Sequence, residues 1–151
     1  LERAGPGREG QGSITGLFTV LVDGGDHDEP VADAVRGILD GHVILSRSIA
    51  EQGRYPAVDL LKSLSRTLPH CLSSEQNRLR TDARSLLSLY GDMEEIVRLG
   101  AYQTGSNAEV DRAIALAPRI EEMLKQGKDD QGYAAAAFSA LGEIMAGEGA
   151  T

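Results

Sequence analysis

The sequence has 151 residues, 41% of them hydrophobic and 25% charged, with no Trp and only two Phe, so one domain or two small ones must be built on an aliphatic, alanine-rich core. Its formal net charge is -8: residues 1–70 carry 7 basic and 10 acidic side chains (-3), and residues 71–151 carry 8 and 13 (-5). Neither half has the basic surplus of a non-specific nucleic-acid binder, and no apolar run reaches the length of a membrane span.

Residues 1–12 are rich in Gly and read as loop, with no apolar stretch of the kind a secretory leader needs. Gly5, Gly7 and Gly10 match G-x-G-x-x-G, but no strand precedes them, so a dinucleotide site is rejected. "SITGLFTVLV" (13–22) is β-branched and aliphatic and is expected to be a buried strand. The turn cluster that follows holds Asp26, His27, Asp28 and Glu29; four consecutive positions rarely converge on one ion, so a solvated loop is favoured over a metal site. Pro30 opens a short helix through "VADAVRGILD", "GHVILS" is a second strand, and "RSIAEQG" is a helical turn closed by glycine. Strand, helix, strand and helix within about fifty residues point to part of an α/β sheet. Two strands make no stable sheet and no initiator Met is present, so a piece of a longer chain is expected. Alone it should be helical and prone to aggregate through unpaired strand edges.

After Pro69 the pattern changes to all-α. Cys71 is the single cysteine, which leaves no intrachain disulfide and fits a reducing cytosol. Leu72, Leu79, Ala83, Leu86, Tyr90, Met93 and Val97 form a helical stripe, so one helix is expected over Ser74–Arg98, capped by Ser73 or Ser74 and stopped by Gly100. Asn107 or Ser106 caps the next, with Val110, Ile114 and Ala117 on one face. Pro118 should kink that helix or open a new one closed by Gly127. The last helix, "GYAAAAFSALGEIMAG", should turn Tyr133, Ala137, Leu141 and Ile144 inward.

"GQGSITGLFTVLV", "DEPVADAVRGILDGHVILSRSIAEQGRYPAVDLLKSLSR" and "RLGAYQTGSNAEVDRAI" resemble the C-terminal third of the flagellum-specific ATPase of the type III protein export apparatus. Virulence secretion ATPases are close relatives, and rotary ATP synthase catalytic subunits more distant ones. The resemblance is continuous from about Gly10 to Gln126. "DGHVILSR" separates the export ATPases from synthase subunits, as does the want of a synthase-like acidic loop in the helical half; the "GAYQTGS" segment favours the flagellar system. The resemblance implies the end of a RecA-like P-loop ATPase core over residues 1–70 and a C-terminal helical domain, a small bundle, over residues 71–151. The phosphate loop, the acidic Mg2+-site residue and the catalytic Glu of the family have no counterpart in this sequence: its one Gly-Lys, Gly127-Lys128, is followed by Asp129.

By the same resemblance, Tyr55 and Pro56 are the adenine-pocket turn: a flat apolar ring for the base, held by a rigid proline. Arg66 of "SLSR" is the arginine finger, whose planar, always-charged guanidinium meets the γ-phosphate oxygens of a site bound mainly by the neighbouring subunit. The residues themselves also allow a Tyr55 that merely covers a core edge and an Arg66 ion-paired on the sheet edge, for instance with Asp59. Arg47 and His42 read as structural, and Asp33 and Asp40 as capping or solvent-facing. The implied cofactors are ATP and Mg2+, the latter bound by residues outside this sequence. Without the phosphate loop, this stretch alone should be inactive. The implied partners are a homo-hexamer, the export stalk protein, chaperones and export substrates, and peripherally the membrane export gate; no nucleic acid is implied, and "QGKDDQGYA" reads equally as a face for such partners or as a solvated loop. The location is cytoplasmic, peripheral to the inner-membrane export apparatus. A virulence secretion ATPase and a non-enzymatic helical adaptor for stalk or chaperone proteins are the alternatives.

Overall fold

Among the described residues the elements follow in the order α1 (Pro30–Ile38), β1 (Gly41–Leu45), α2 (Arg47–Glu51), β2 (Val58–Ser65), α3 (Ser74–Arg98), α4 (Ala108–Met123) and α5 (Ala134–Ala146). They are seen in a computed structural model that describes residues 4–5, 7–22 and 30–147, without the side chains of 31–33. The chain divides into two compact units, Leu1–His42 and Val43–Thr151, the division falling inside β1.

In the first unit the expected strand 13–22 does not form. Its one ladder contact is a bridge between Ile14 and Gly5, whose N–H and C=O groups exchange bonds of 2.8 and 3.0 Å. Leu17 is 95% exposed and Leu21 89% exposed. An apolar, β-branched run of this kind belongs to a strand covered on both faces, and a strand exists only with a neighbour to bond. Among the described residues nothing beyond that bridge pairs with it. The acidic cluster Asp26–Glu29 and the Asp33 side chain lie outside the described residues.

In the second unit β1 and β2 form a two-stranded sheet. Ile44 N–H donates to Ser63 Oγ at 3.0 Å, and just beyond β1 Ser46 N–H donates to Ala57 O at 2.9 Å. β2 contains a tight bend. The Asp59 carboxylate accepts the N–H groups of Leu61 and Lys62 at 3.1 and 3.0 Å, and Ser63 Oγ donates to Asp59 O. This Asx-type turn aims the carbonyls of Leu60 and Leu61 outward from the ladder, where the Arg84 guanidinium of α3 donates to both. The same Asp59 carboxylate lies 3.5 Å from Lys62 Nζ. β2 was not foreseen as a strand.

The three long helices form the bundle. Ser73 and Gln76 make a capping box at the start of α3: Gln76 N–H donates to Ser73 Oγ at 3.1 Å and Ser73 N–H to Gln76 Oε1 at 2.9 Å. Asn77 Nδ2 ties the incoming chain down by donating to Pro69 O, Leu72 O and Ser73 O. At the other end Gly100, at φ +69, permits two bonds that close the helix, Gly100 N–H to Val97 O and Ala101 N–H to Ile96 O, both 3.0 Å. Tyr102 and Asp111 then knit the loop: Tyr102 OH donates to Asp111 Oδ1 at 2.9 Å and Gly105 N–H to Asp111 Oδ2 at 2.9 Å. Asn107 caps α4 by accepting from Glu109 and Val110 N–H.

α4 passes through Pro118 as one helix and ends at Met123, before the expected Gly127. Pro118 is on the exposed side, and having no N–H it leaves the carbonyl of Ile114 without its helical donor. The core consists of Ala83, Leu86 and Leu87 of α3, Ala113, Leu116, Ala117 and Ile120 of α4, and Leu141 and Met145 of α5. Leu60 of β2 packs against it. Two inward positions expected on α5 are corrected. Tyr133 is its exposed N-cap residue, preceding the first helical turn, and Ala137 is exposed while the larger Phe138 faces the core. Cys71 is free and exposed. No helix among the described residues is long and apolar enough to cross a membrane.

Candidate functional site

The turn between α2 and β2 carries the Tyr-Pro step. Gly53, at φ +81, ends the helical turn of α2, and Arg54 N–H returns to Ile49 O at 3.3 Å. Val58 N–H donates to Pro56 O at 2.8 Å, and Gln126 N–H, beyond the end of α4, donates to Tyr55 O at 2.8 Å. The backbone of the turn is therefore held from within and from the bundle. Its Tyr55 ring is 57% exposed, and Pro56 beside it is exposed too. An exposed aromatic side chain on a fixed backbone is available for stacking against a flat apolar surface.

Arg54 supplies what the sequence did not disclose. Only 7% exposed, it places its Nε 2.6 Å from Glu121 Oε2 of α4 and donates from a terminal nitrogen to Val58 O at 3.0 Å. A cavity of about 350 Å³ opens beside this pair, walled by Ile49, Asp59, Leu60, Tyr90 and Glu94 among others. No local signal marks the partnership, because its two members come from distant parts of the chain.

Arg66 is exposed and stands just past the end of β2. The eight residues of β2 lie between it and the Tyr55 turn, so the two residues occupy opposite ends of one strand. The Asp59 carboxylate is bonded by the backbone of its own bend and lies beside Lys62. His42 is half-buried in β1, Arg47 is the exposed first residue of α2, and Asp40 is exposed. Among the described residues no group of three or more His, Cys, Asp or Glu is placed to hold a metal ion. The 126–133 loop is closed on itself by Gly127 N–H donating to Asp130 Oδ2 at 2.7 Å.

Comparison with known proteins divides the chain in two. Residues 1–65 match the nucleotide-binding domain of the ATP synthase alpha/beta family, and residues 72–143 match the T3SS EscN ATPase C-terminal domain. The flagellum-specific ATP synthase of Caulobacter vibrioides is 50% identical over 98% of this chain and 34% of its own length. The SPI-2 type 3 secretion system ATPase of Salmonella typhimurium is 48% identical over 86% of this chain and 30% of its own. Among solved structures, the assembled ATPase EscN in complex with its central stalk EscO, from enteropathogenic E. coli, superposes with a TM-score of 0.82 at 35% identity, covering 96% of this chain and 34% of that one. The chain thus spans about a third of the length of the relatives it matches.

Proposed function

We propose that this chain, which belongs to the family of flagellum-specific and type III secretion ATPases as its C-terminal third, completes an ATP-hydrolysing hexameric motor that energises flagellar type III protein export. Residues 1–70 act as the end of the RecA-like core and residues 71–151 as the helical domain. The observation that carries the reading is the Tyr55 turn: an exposed ring on a backbone fixed at both ends, within a stretch that matches a nucleotide-binding domain. Tyr55 and Pro56 receive the adenine of ATP in their own subunit. ATP, with its Mg2+ held by other residues of the whole protein, supplies the phosphoryl group whose transfer drives the motor.

Arg66 acts on the neighbouring subunit's nucleotide. Its place at the far end of β2 from Tyr55 supports this division, since two residues at opposite ends of one strand serve two sites more readily than one. A guanidinium there neutralises charge that builds on the γ-phosphate oxygens, and supplying it in trans makes turnover depend on assembly. The helical domain meets a central stalk protein, as the similarity to stalk-bound EscN supports, together with chaperones and export substrates. A cytoplasmic station against the membrane export gate follows from that role, and the "GAYQTGS" segment, knitted by Tyr102 and Asp111, supports the flagellar system.

The test is ATP turnover by the full-length protein carrying Arg66→Ala. A loss of about a thousandfold or more with nucleotide binding kept is expected. Turnover near the wild-type rate refutes the finger.

A further inference from the structure

Arg54 is a buried cation whose position in the chain is informative. It immediately precedes Tyr55, yet its guanidinium turns away from the exposed ring and into the protein. There it spans two elements: Val58 O at the start of β2, at 3.0 Å, and Glu121 of α4, at 2.6 Å. The Gln126 N–H bond to Tyr55 O arrives from just past the same helix. Two contacts from one stretch of the bundle thus grip the two consecutive residues that present the ring. Glu121 is 41% exposed at its side chain while Arg54 is 8% exposed, so the deeper partner is the cation, and losing Glu121 would leave a charge in the protein with one neutral acceptor.

We propose that Arg54 and Glu121 are positioning residues for nucleotide: the ion pair clasps the Tyr55 turn to α4 and sets the attitude of the ring toward the base. The inference rests on the adenine reading of Tyr55. It adds that the helical half holds the ring's orientation, through a side chain that never touches ATP. Any movement of α4 is transmitted to Tyr55, and by thermodynamic reciprocity base binding steadies α4.

The experiment is steady-state ATP hydrolysis by the full-length protein, comparing Tyr55→Ala, Glu121→Gln, Glu121→Arg, the exchange Arg54→Glu with Glu121→Arg, and Tyr55→Ala combined with Glu121→Gln. Glu121→Gln keeps the shape and removes the charge, so it is the variant that keeps the fold. The expected result is a KM for ATP raised about three- to tenfold in Glu121→Gln with kcat within about twofold, a larger rise in Glu121→Arg, and partial recovery in the exchange. In the Tyr55→Ala background Glu121→Gln should raise KM no further, because there is no ring left to position. If Tyr55→Ala leaves KM unchanged, the adenine reading falls and the clasp with it. If Tyr55→Ala raises KM but Glu121→Gln does not, the adenine reading stands and the clasp is overturned. Additive effects in the combined variant also overturn it, since they mean a general loss of structure.

Discussion

Residues 13–22 and residues 110–120 are both rich in apolar side chains, yet one stretch is largely exposed and the other supplies much of the core. Leu17 is 95% exposed, whereas Ile120 is 2% exposed. The difference lies in where each segment finds its hydrogen-bond partners. A helix satisfies its backbone within its own sequence and needs its neighbours only for packing. A strand has no backbone partner of its own and must borrow a ladder from elsewhere. The helical half of this chain contains its own partners; among the described residues the aliphatic run near the start has a single bridge, to Gly5.

The contrast can be broken most forcefully at Ile120. Ile120→Ala should cost about 3–4 kcal/mol in urea unfolding followed by circular dichroism, because the site is enclosed by three helices and cannot collapse easily. A cost under about 1 kcal/mol would mean the bundle core is loosely packed. Ser73→Ala should cost about 1 kcal/mol, since it leaves Gln76 N–H without its capping oxygen and opens the reciprocal bond with it. The smallest stability effect belongs to Leu17→Ser, within about 0.5 kcal/mol of the parent chain. That substitution should nevertheless reduce light scattering by concentrated samples of the isolated chain, because it removes an apolar side chain from an unpaired segment. Unchanged scattering would mean that this segment drives no self-association.

Local signals were enough to place much of the helical half. The apolar stripe and Ser73 fixed α3 as Ser74–Arg98, and Asn107 fixed the start of α4, because caps and periodicity are written within a few residues. Tyr133 was misplaced because the apolar period was extended one residue too far, into the cap position that a helix reserves for a non-helical residue. Pro118 was expected to interrupt α4, but the helix runs through it with the proline on its exposed side. β2 escaped notice because the bend at Asp59 breaks the alternation by which a strand is read. Tyr55 and Arg66 stood out only through resemblance to a family. Arg54 and Glu121 did not stand out at all, since an ion pair between distant positions leaves no periodic trace in either neighbourhood.

Ala113 and Ala117 lie one helical turn apart on α4, and both are 0% exposed. Their methyl groups contribute little burial of their own, but small side chains at these points let neighbouring helices approach the axis of α4 closely. The width of the bundle is therefore gauged by two of its smallest side chains. A larger residue at either position would act as a wedge, and the displacement would be carried along the rigid helix to Glu121, a single turn beyond Ala117.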